Sequence, residues 1–274
     1  MSTSVLDRQW LSSLTAGADR SPLRSRVPLI WESHVIGSVE PDYLSQIYLQ
    51  RSSVLPEVLQ REQSSESLQW RVRGELTLAL AHVAQALLQA RVGSVAQQWR
   101  NEQLAVCDAQ GQQLATVERG VVRPLGIATR AVHLVGRAPD GRFWLQQRAL
   151  SKANDPGLWD TLMGGMVSAR DTVQTALERE TWEEAGLRLT ALEQVRWGGR
   201  VDLRKPCSDD AAGYVVEQTD WYHCIVPEAV QPVNQDGEVE QFLLLDKGEL
   251  IAKLQCDEFT TEAALILVAA LHLP

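Results

Sequence analysis

The sequence predicts a layered chain of mixed α/β (α+β) class, in which a smaller α+β N-terminal domain precedes a larger domain where a sheet packs against helices. Three observations predict it. Strand-like runs stand on both sides of one strongly helical internal segment, the arrangement of a layered domain. The character of the chain changes near Pro124, with a helix and short paired runs before it and β-like runs around a second helix after it. At 274 residues, 45% of them apolar, the chain can bury a sizeable core and has room for two modest domains.

Residues 1 to 20 read as a weakly ordered lead-in, 21 to 124 as the N-terminal domain and 125 to 274 as the second. In the N-terminal part, the short apolar stretches VPLIW and HVIGSV give way to RGELTLALAHVAQALLQAR, whose apolar residues recur densely enough for a buried helix. QLAVCDAQGQQLATVER reads as two strands around a glycine-containing turn. Beyond Pro124, GIATRAVHLVGR and RFWLQQRA are β-like and are separated by APDG, a hairpin signal. SKANDPGLWDTLMGGM is turn-rich, and DTVQTALERETWEEAGL is helical. ALEQVRWGGRVDL and YVVEQTDWYHCIV read as strands, and EFTTEAALILVAALHL as a last helix with Thr260 or Thr261 at its N-cap.

Composition excludes several classes. No run of 18 or more apolar residues exists, and the first residues lack the pattern of a secretory signal, so a soluble cytoplasmic protein that does not associate with membranes is expected. Cys107, Cys207, Cys224 and Cys256 show no C-x-x-C spacing and the five histidines are scattered, which argues against a zinc cluster and for reduced thiols. A net charge of −9 argues against a nucleic-acid polymer as partner, but an acidic protein still binds a phosphorylated small molecule through a few local cations or a metal. Most of the nine tryptophans are expected in the core, with some free to line a pocket for a ring-shaped ligand.

The chemistry concentrates in RETWEEAGL. With Glu180 at zero on a helical wheel, Glu183 falls at about 300° and Glu184 at about 40°, so the three carboxylates share one face roughly 100° wide. Val173, Ala176 and Leu177 occupy the same face one or two turns earlier, so an apolar stripe ends in three acids. Closely spaced like charges repel, and burial of a carboxylate is costly without a partner. Arg179, four residues before Glu183, supplies one compensating charge. A hard divalent cation such as Mg²⁺ or Mn²⁺ would supply two and prefers oxygen ligands, and Glu180 and Glu184 are spaced i, i+4 to grip it.

The string GMVSARDTVQTALERETWEEAGL resembles the Nudix box, G-x5-E-x7-R-E-U-x-E-E-x-G-U with U apolar; Gly165, Arg179, Glu180, Glu183, Glu184, Gly186 and Leu187 match. Asp171 replaces the first glutamate, one methylene shorter, and Thr181 takes a usually apolar slot; Asp171 is also placed to help Thr172 cap the helix. The resemblance implies an α/β/α sandwich around a mixed sheet from about Gly126 onward, and metal-dependent hydrolysis of an organic diphosphate. It implies one to three Mg²⁺ or Mn²⁺ ions on Glu180, Glu183, Glu184 and the carbonyl of Gly164 or Gly165. Arg179, Asp171 and Gly186 would be the supporting residues. A base or further ligand is expected from Glu183 or Glu184, or from Glu238 or Glu240 in NQDGEVEQF. Arg148, Lys152 and Arg200 are the expected substrate cations.

The whole chain is similar to Nudix proteins associated with thiamine diphosphate metabolism, on WRNEQLAV, ERGVVRPLGIATRAVHLVG and QQRALSKANDPGLWDTLMGGM, which implies cleavage of thiamine diphosphate or its damaged analogues to the monophosphate. Nucleotide-type diphosphates such as ADP-ribose are the alternative substrates. Isopentenyl diphosphate isomerases share the domain and a similar R-x-x-S-K-x-x-x-P-G-x-W stretch, but they use a cysteine where this chain has Gly164. Non-catalytic binding proteins of this fold typically lose box glutamates that are retained here. The N-terminal domain shows no chemical signature, His34 and His82 included, and is expected to wall the pocket or to form a homodimer surface.

Overall fold

The computed structural model describes residues 5–48, 55–63, 68–208 and 210–273. Contacts divide the chain into two compact units, one of Arg20–Thr129 with Arg204–Glu217, the other of Met1–Asp19, Arg130–Leu203 and Gln218–Pro274. The lead-in is not weakly ordered where it is described: α1 (Arg8–Ala18) is a helix capped by Asp7, whose carboxylate accepts the Trp10 N–H at 2.8 Å. It belongs to the second unit because Leu6, Trp10 and Leu14 pack on that unit's core, a partnership of distant segments that local composition does not report. Residues 1–4 of the lead-in lie outside the described residues.

The first unit is α+β. Strands β1 (Val27–Trp31) and β2 (His34–Val39) form a hairpin. Short helices α2 (Ser45–Tyr48) and α3 (Leu55–Val58) lead to β3 (Leu59–Gln63) and β4 (Leu68–Val72), completing a sheet of order β2-β1-β4-β3. The expected buried helix is α4 (Leu76–Gln89), with Leu76, Leu80, Val83 and Leu87 inward and Glu75 as its N-cap. After α5 (Val95–Gln98), β5 (Gln103–Cys107) and β6 (Gln113–Glu118) form the expected hairpin, turned by Asp108 and by Gly111 at φ 81°.

The second unit is a sheet between two helical layers. Strands β7 (Thr129–Arg137), β8 (Phe143–Arg148), β9 (Trp159–Asp160) and β10 (Met163–Met166) precede α6 (Val173–Ala185). The long β11 (Glu193–Pro206) and β12 (Tyr214–Ile225), then β13 (Val239–Leu245), complete an order β11-β12-β7-β8-β13, with β10 paired to β7 and β9 to β8. Helices α7 (Lys247–Leu254) and α8 (Thr261–Ala270) close the chain, α8 starting at the Thr260 cap. On one side Val132, Leu134 and Cys224 pack against Ala176, Leu177 and Ala185 of α6. On the other, Val135, Phe143, Leu145 and Trp221 pack against α7 and α8. The short β9 and β10 lie inside the segment expected to be turns, because their pairing partners are supplied by distant strands. Among the described residues no helix is long and apolar enough to cross a membrane.

Candidate active site

Helix α6 is set by its ends. Thr172 accepts the Thr175 N–H at 3.1 Å while the Thr175 hydroxyl accepts the Thr172 N–H at 2.9 Å, a reciprocal cap that closes the first turn. At the other end Gly186 is left-handed, φ 64°, and its N–H donates to the Trp182 carbonyl at 2.8 Å. A Cβ there would lie 2.6 Å from the Val233 carbonyl, so both conformation and space require glycine. Thr181 is fully buried and its hydroxyl has no hydrogen-bond partner among the described residues, so its slot is an apolar one in packing terms.

The three acids of the helix meet three different environments. Glu184 is buried; it accepts the Gly164 N–H at 2.9 Å and the Gln146 side-chain amide at 2.7 Å, with the Lys152 ammonium 3.4 Å away. Glu180 lies against the glycine strand, where a Cβ on Gly165 would collide with its carboxylate. Glu183 is half exposed and accepts from Arg179 at 2.9 Å. The Arg179 guanidinium also donates to Glu180 at 2.8 Å, to Asp171 at 2.9 and 3.1 Å, and to the Met166 carbonyl at 3.2 Å. Asp171 therefore holds the arginine and touches the helix cap only by accepting the Thr175 hydroxyl at 3.4 Å, with Thr172 as the N-cap; its shorter side chain suffices because Arg179 reaches to it.

Burial, reinforced by the neighbouring Glu184 charge and opposed by Arg179, pushes the Glu180 carboxyl up to about 8. Burial also raises Glu184 above the ordinary range, against the pull of Lys152, the Gly164 N–H and Gln146. Among the described residues Asp171, Glu180, Glu183, Glu184 and Glu238 pair with two cations, Arg179 and Lys152, leaving a net negative site. Among the described residues no three His, Cys, Asp or Glu side chains converge as a ready-made metal cage, because Arg179 draws Glu183 and Lys152 lies beside Glu184. The donor set still suits a hard divalent cation: carboxylate and carbonyl oxygens, surplus negative charge, and a side-chain-free Gly164–Gly165 strand that lets carboxylates approach the main chain.

The other expected residues separate. Lys152 joins the site, pairing with both Glu184 and Glu238, so Glu238 is brought to the helix acids. Glu240 is exposed on β13, and no site residue among those described pairs with it. Arg148 is spent on its own loop: it donates to the Asn154 and Asp155 carbonyls at 2.9 and 3.2 Å and lies 3.5 Å from Asp160. It staples the turn after β8 and is not free for a substrate. Arg200 is held by Asp220, not by the helix acids.

Two features were not legible beforehand. Gln146 fixes Glu184; the period-2 alternation of β8 puts it on the same side as Trp144, which packs on the α6 core, and an amide at such an inward position was the available signal. The second is the buried pair of His133 Nδ1 and Asp160 at 3.3 Å, with Thr161 at 3.0 Å. Burial alone would lower His133, but Asp160, with Glu262 and Glu184, more than offsets it and the imidazole is held above its ordinary value. Its ring fills the space a side chain at Gly164 would need.

Residues 128–262 match the family described as NUDIX domain. The chain is 30% identical over 165 residues to the uncharacterized Nudix hydrolase SCO1686 of Streptomyces coelicolor, spanning 59% of this chain and 84% of that protein. It is 28% identical over 184 residues to the uncharacterized protein YJR142W of Saccharomyces cerevisiae, spanning 62% of this chain and 54% of that one, about half the relative's length. It is also 28% identical over 169 residues to an isopentenyl-diphosphate Delta-isomerase of Streptomyces avermitilis, across 61% of this chain and 82% of that enzyme. With the box acids gathered around a side-chain-free glycine strand and a 30% identical relative covered over most of its length, the chain belongs to the Nudix family.

Proposed function

We propose that the chain hydrolyses a phosphoanhydride bond in an organic diphosphate, yielding the monophosphate, with Mg²⁺ or Mn²⁺ held by Glu180, Glu183, Glu184 and the carbonyl of Gly164 or Gly165. The observation that carries this reading is the pinned pair of Glu184 and Glu180 against the glycine strand, in a site with more carboxylates than cations. When bound, such an ion screens the phosphate oxygens, acidifies water and stabilises the departing phosphate. Gly164 and Gln146 orient Glu184, and Arg179 tethers Glu183, which would have to share its carboxylate between the guanidinium and a bound ion. Glu238, half exposed and tethered by Lys152, is the group we assign to accept the water's proton; Lys152 then remains beside Glu184 as a cation for the diphosphate. Glu240 keeps no role in this reading.

Thiamine diphosphate and its oxidised analogues are the first substrates to examine, on the sequence features that accompany the box, with ADP-ribose and other nucleotide diphosphates second. An isomerase reading has the likeness to the Streptomyces enzyme in its favour. Against it, position 164 is a glycine whose side-chain space is filled by His133. Cys224, in the α6 core, is a buried thiol pushed up to about 12 by burial, unsuited to proton transfer. The test is a Mg²⁺ panel of thiamine diphosphates, ADP-ribose, dinucleotides, nucleoside triphosphates and isoprenyl diphosphates. Cleavage of one class, lost in Glu183→Gln, is expected; no cleavage above that control removes the hydrolase reading, and isomerisation of isopentenyl diphosphate replaces it.

A further inference from the structure

We infer that Arg130, Arg200 and Trp197, gathered on the buried carboxylate of Asp220, form the part of the substrate site that selects a diphosphate carrying a flat heteroaromatic ring. This rests on the hydrolase reading and assigns the residues that would recognise the ring-bearing part of its substrate. Asp220 is 4% exposed and takes four hydrogen bonds: from Arg130 at 3.0 Å, from Arg200 at 3.1 and 3.2 Å, and from the Trp197 indole N–H at 3.4 Å. Two guanidiniums on one carboxylate leave a unit of positive charge in a chain whose net charge is −9. A guanidinium carries five donors; Arg130 spends one here and Arg200 two, and no other acceptor among the described residues takes the rest. Trp197 is 60% exposed, its edge tethered to Asp220, which leaves a ring face for stacking.

The cluster is built by the backbone. In a regular strand residues 197 and 200 would point to opposite faces. Gly198 and Gly199 break the alternation: a Cβ on Gly198 would collide with the Trp221 ring, and Gly199 has φ 154° with the same ring beside it, so the glycine pair passes close to that ring and both side chains reach Asp220. The cluster also lies on the side of the sheet that holds the acids. Val132 pairs with Gly165, whose missing side chain faces Glu180, and Arg130 is two residues before Val132, on the same side and about 7 Å along the strand. Its carbonyl accepts the Val167 N–H at 2.9 Å, so Arg130 extends the glycine strand's own pairing. On β12, Cys224 packs on the α6 side, and alternation puts Asp220 there too. A diphosphate at Glu180 thus has two arginines and an indole beyond it, cations for its oxygens and a face for its ring.

The test uses the full chain with Mg²⁺ and two probes that cannot be hydrolysed, α,β-methylene-ADP and ring-free methylenediphosphonate, with Kd read by calorimetry. We expect the ring probe to bind at least about ten-fold more tightly. Trp197→Ala should erase that preference and Trp197→Phe restore it, while Arg130→Ala and Arg200→Ala, each leaving the other guanidinium on Asp220, weaken both probes about ten-fold at a temperature well below their unfolding transitions. Equal binding of the two probes, or wild-type affinities in these variants, overturns the inference. Since the probes bind without chemistry, the expected binding in a chain that cleaves nothing would refute the hydrolase reading alone. Cleavage with a preference that survives Trp197→Ala would refute the cluster alone.

Discussion

Asp160 and Glu184 are both 2% exposed and close enough to feel each other's charge, but burial leaves them in opposite electrostatic states. Burial alone would raise both. Asp160 is met by His133, by Arg148 and by the Thr161 N–H, and its carboxyl is held below the ordinary range. Glu184 has two neutral donors and a single ammonium at 3.4 Å, beside further carboxylates, and stays raised. The first is a balanced network that holds structure. The second is a deficit of positive charge kept in place by the fold, the condition expected where a cation or cationic ligand completes the site.

Four experiments test this contrast. Asp160→Asn should have the largest effect on stability, about 3 to 5 kcal/mol by denaturant unfolding, because it leaves His133 and Arg148 without their buried counter-charge; a loss below about 1 kcal/mol would mean the network is not balanced as described. Glu184→Gln should reverse the pattern, with hydrolysis down about 10²- to 10³-fold and stability unchanged or higher at neutral pH. A large drop in melting temperature in that variant would show that Glu184 is structural.

The third concerns Glu180. A carboxyl raised from 4.5 to about 8 contributes stability that is fully present below pH 4.5 and lost as pH rises through about 8. Metal-free Glu180→Gln should therefore gain melting temperature relative to wild type at pH 8 to 9 and show no gain at pH 4. Saturating Mg²⁺ should stabilise the wild type at neutral pH, by about 2.7 kcal/mol at a hundred times Kd, and leave Glu180→Gln unmoved; equal Mg²⁺ shifts in both would remove Glu180 from the ligand set. The smallest effect is expected for Gln146→Leu, which removes one of two donors orienting Glu184. Activity should fall about ten-fold while the melting temperature changes little, and full activity would leave Gly164 as the orienting group that matters.

What was legible in advance follows the range of the forces. Positions along α6 come from its 3.6-residue repeat and its two caps, so the shared acid face, the Arg179–Glu183 pair and the Gly186 stop could be read from nine consecutive letters. The α4 helix, the β5–β6 hairpin and the Thr260 cap are local in the same sense. Arg148 and Lys152 stand four residues apart in one turn-rich stretch and looked equivalent, but one closed a loop and the other reached the acids. That choice depends on where β9 and α6 come to rest.

Which acids share a face, where their helix begins and ends, and that their charge exceeds what local cations can balance are all written in consecutive residues, because these are properties of neighbours along the chain. It took the packed sheet and helices to bring Gln146 and Gly164 to Glu184, Asp171 to Arg179, the His133 ring to the space beside Gly164, and Arg130, Arg200 and Trp197 to Asp220. Each of those contacts joins residues many positions apart, and the register of β7, β8, β10 and β12 that joins them is set by burying both faces of one sheet at once.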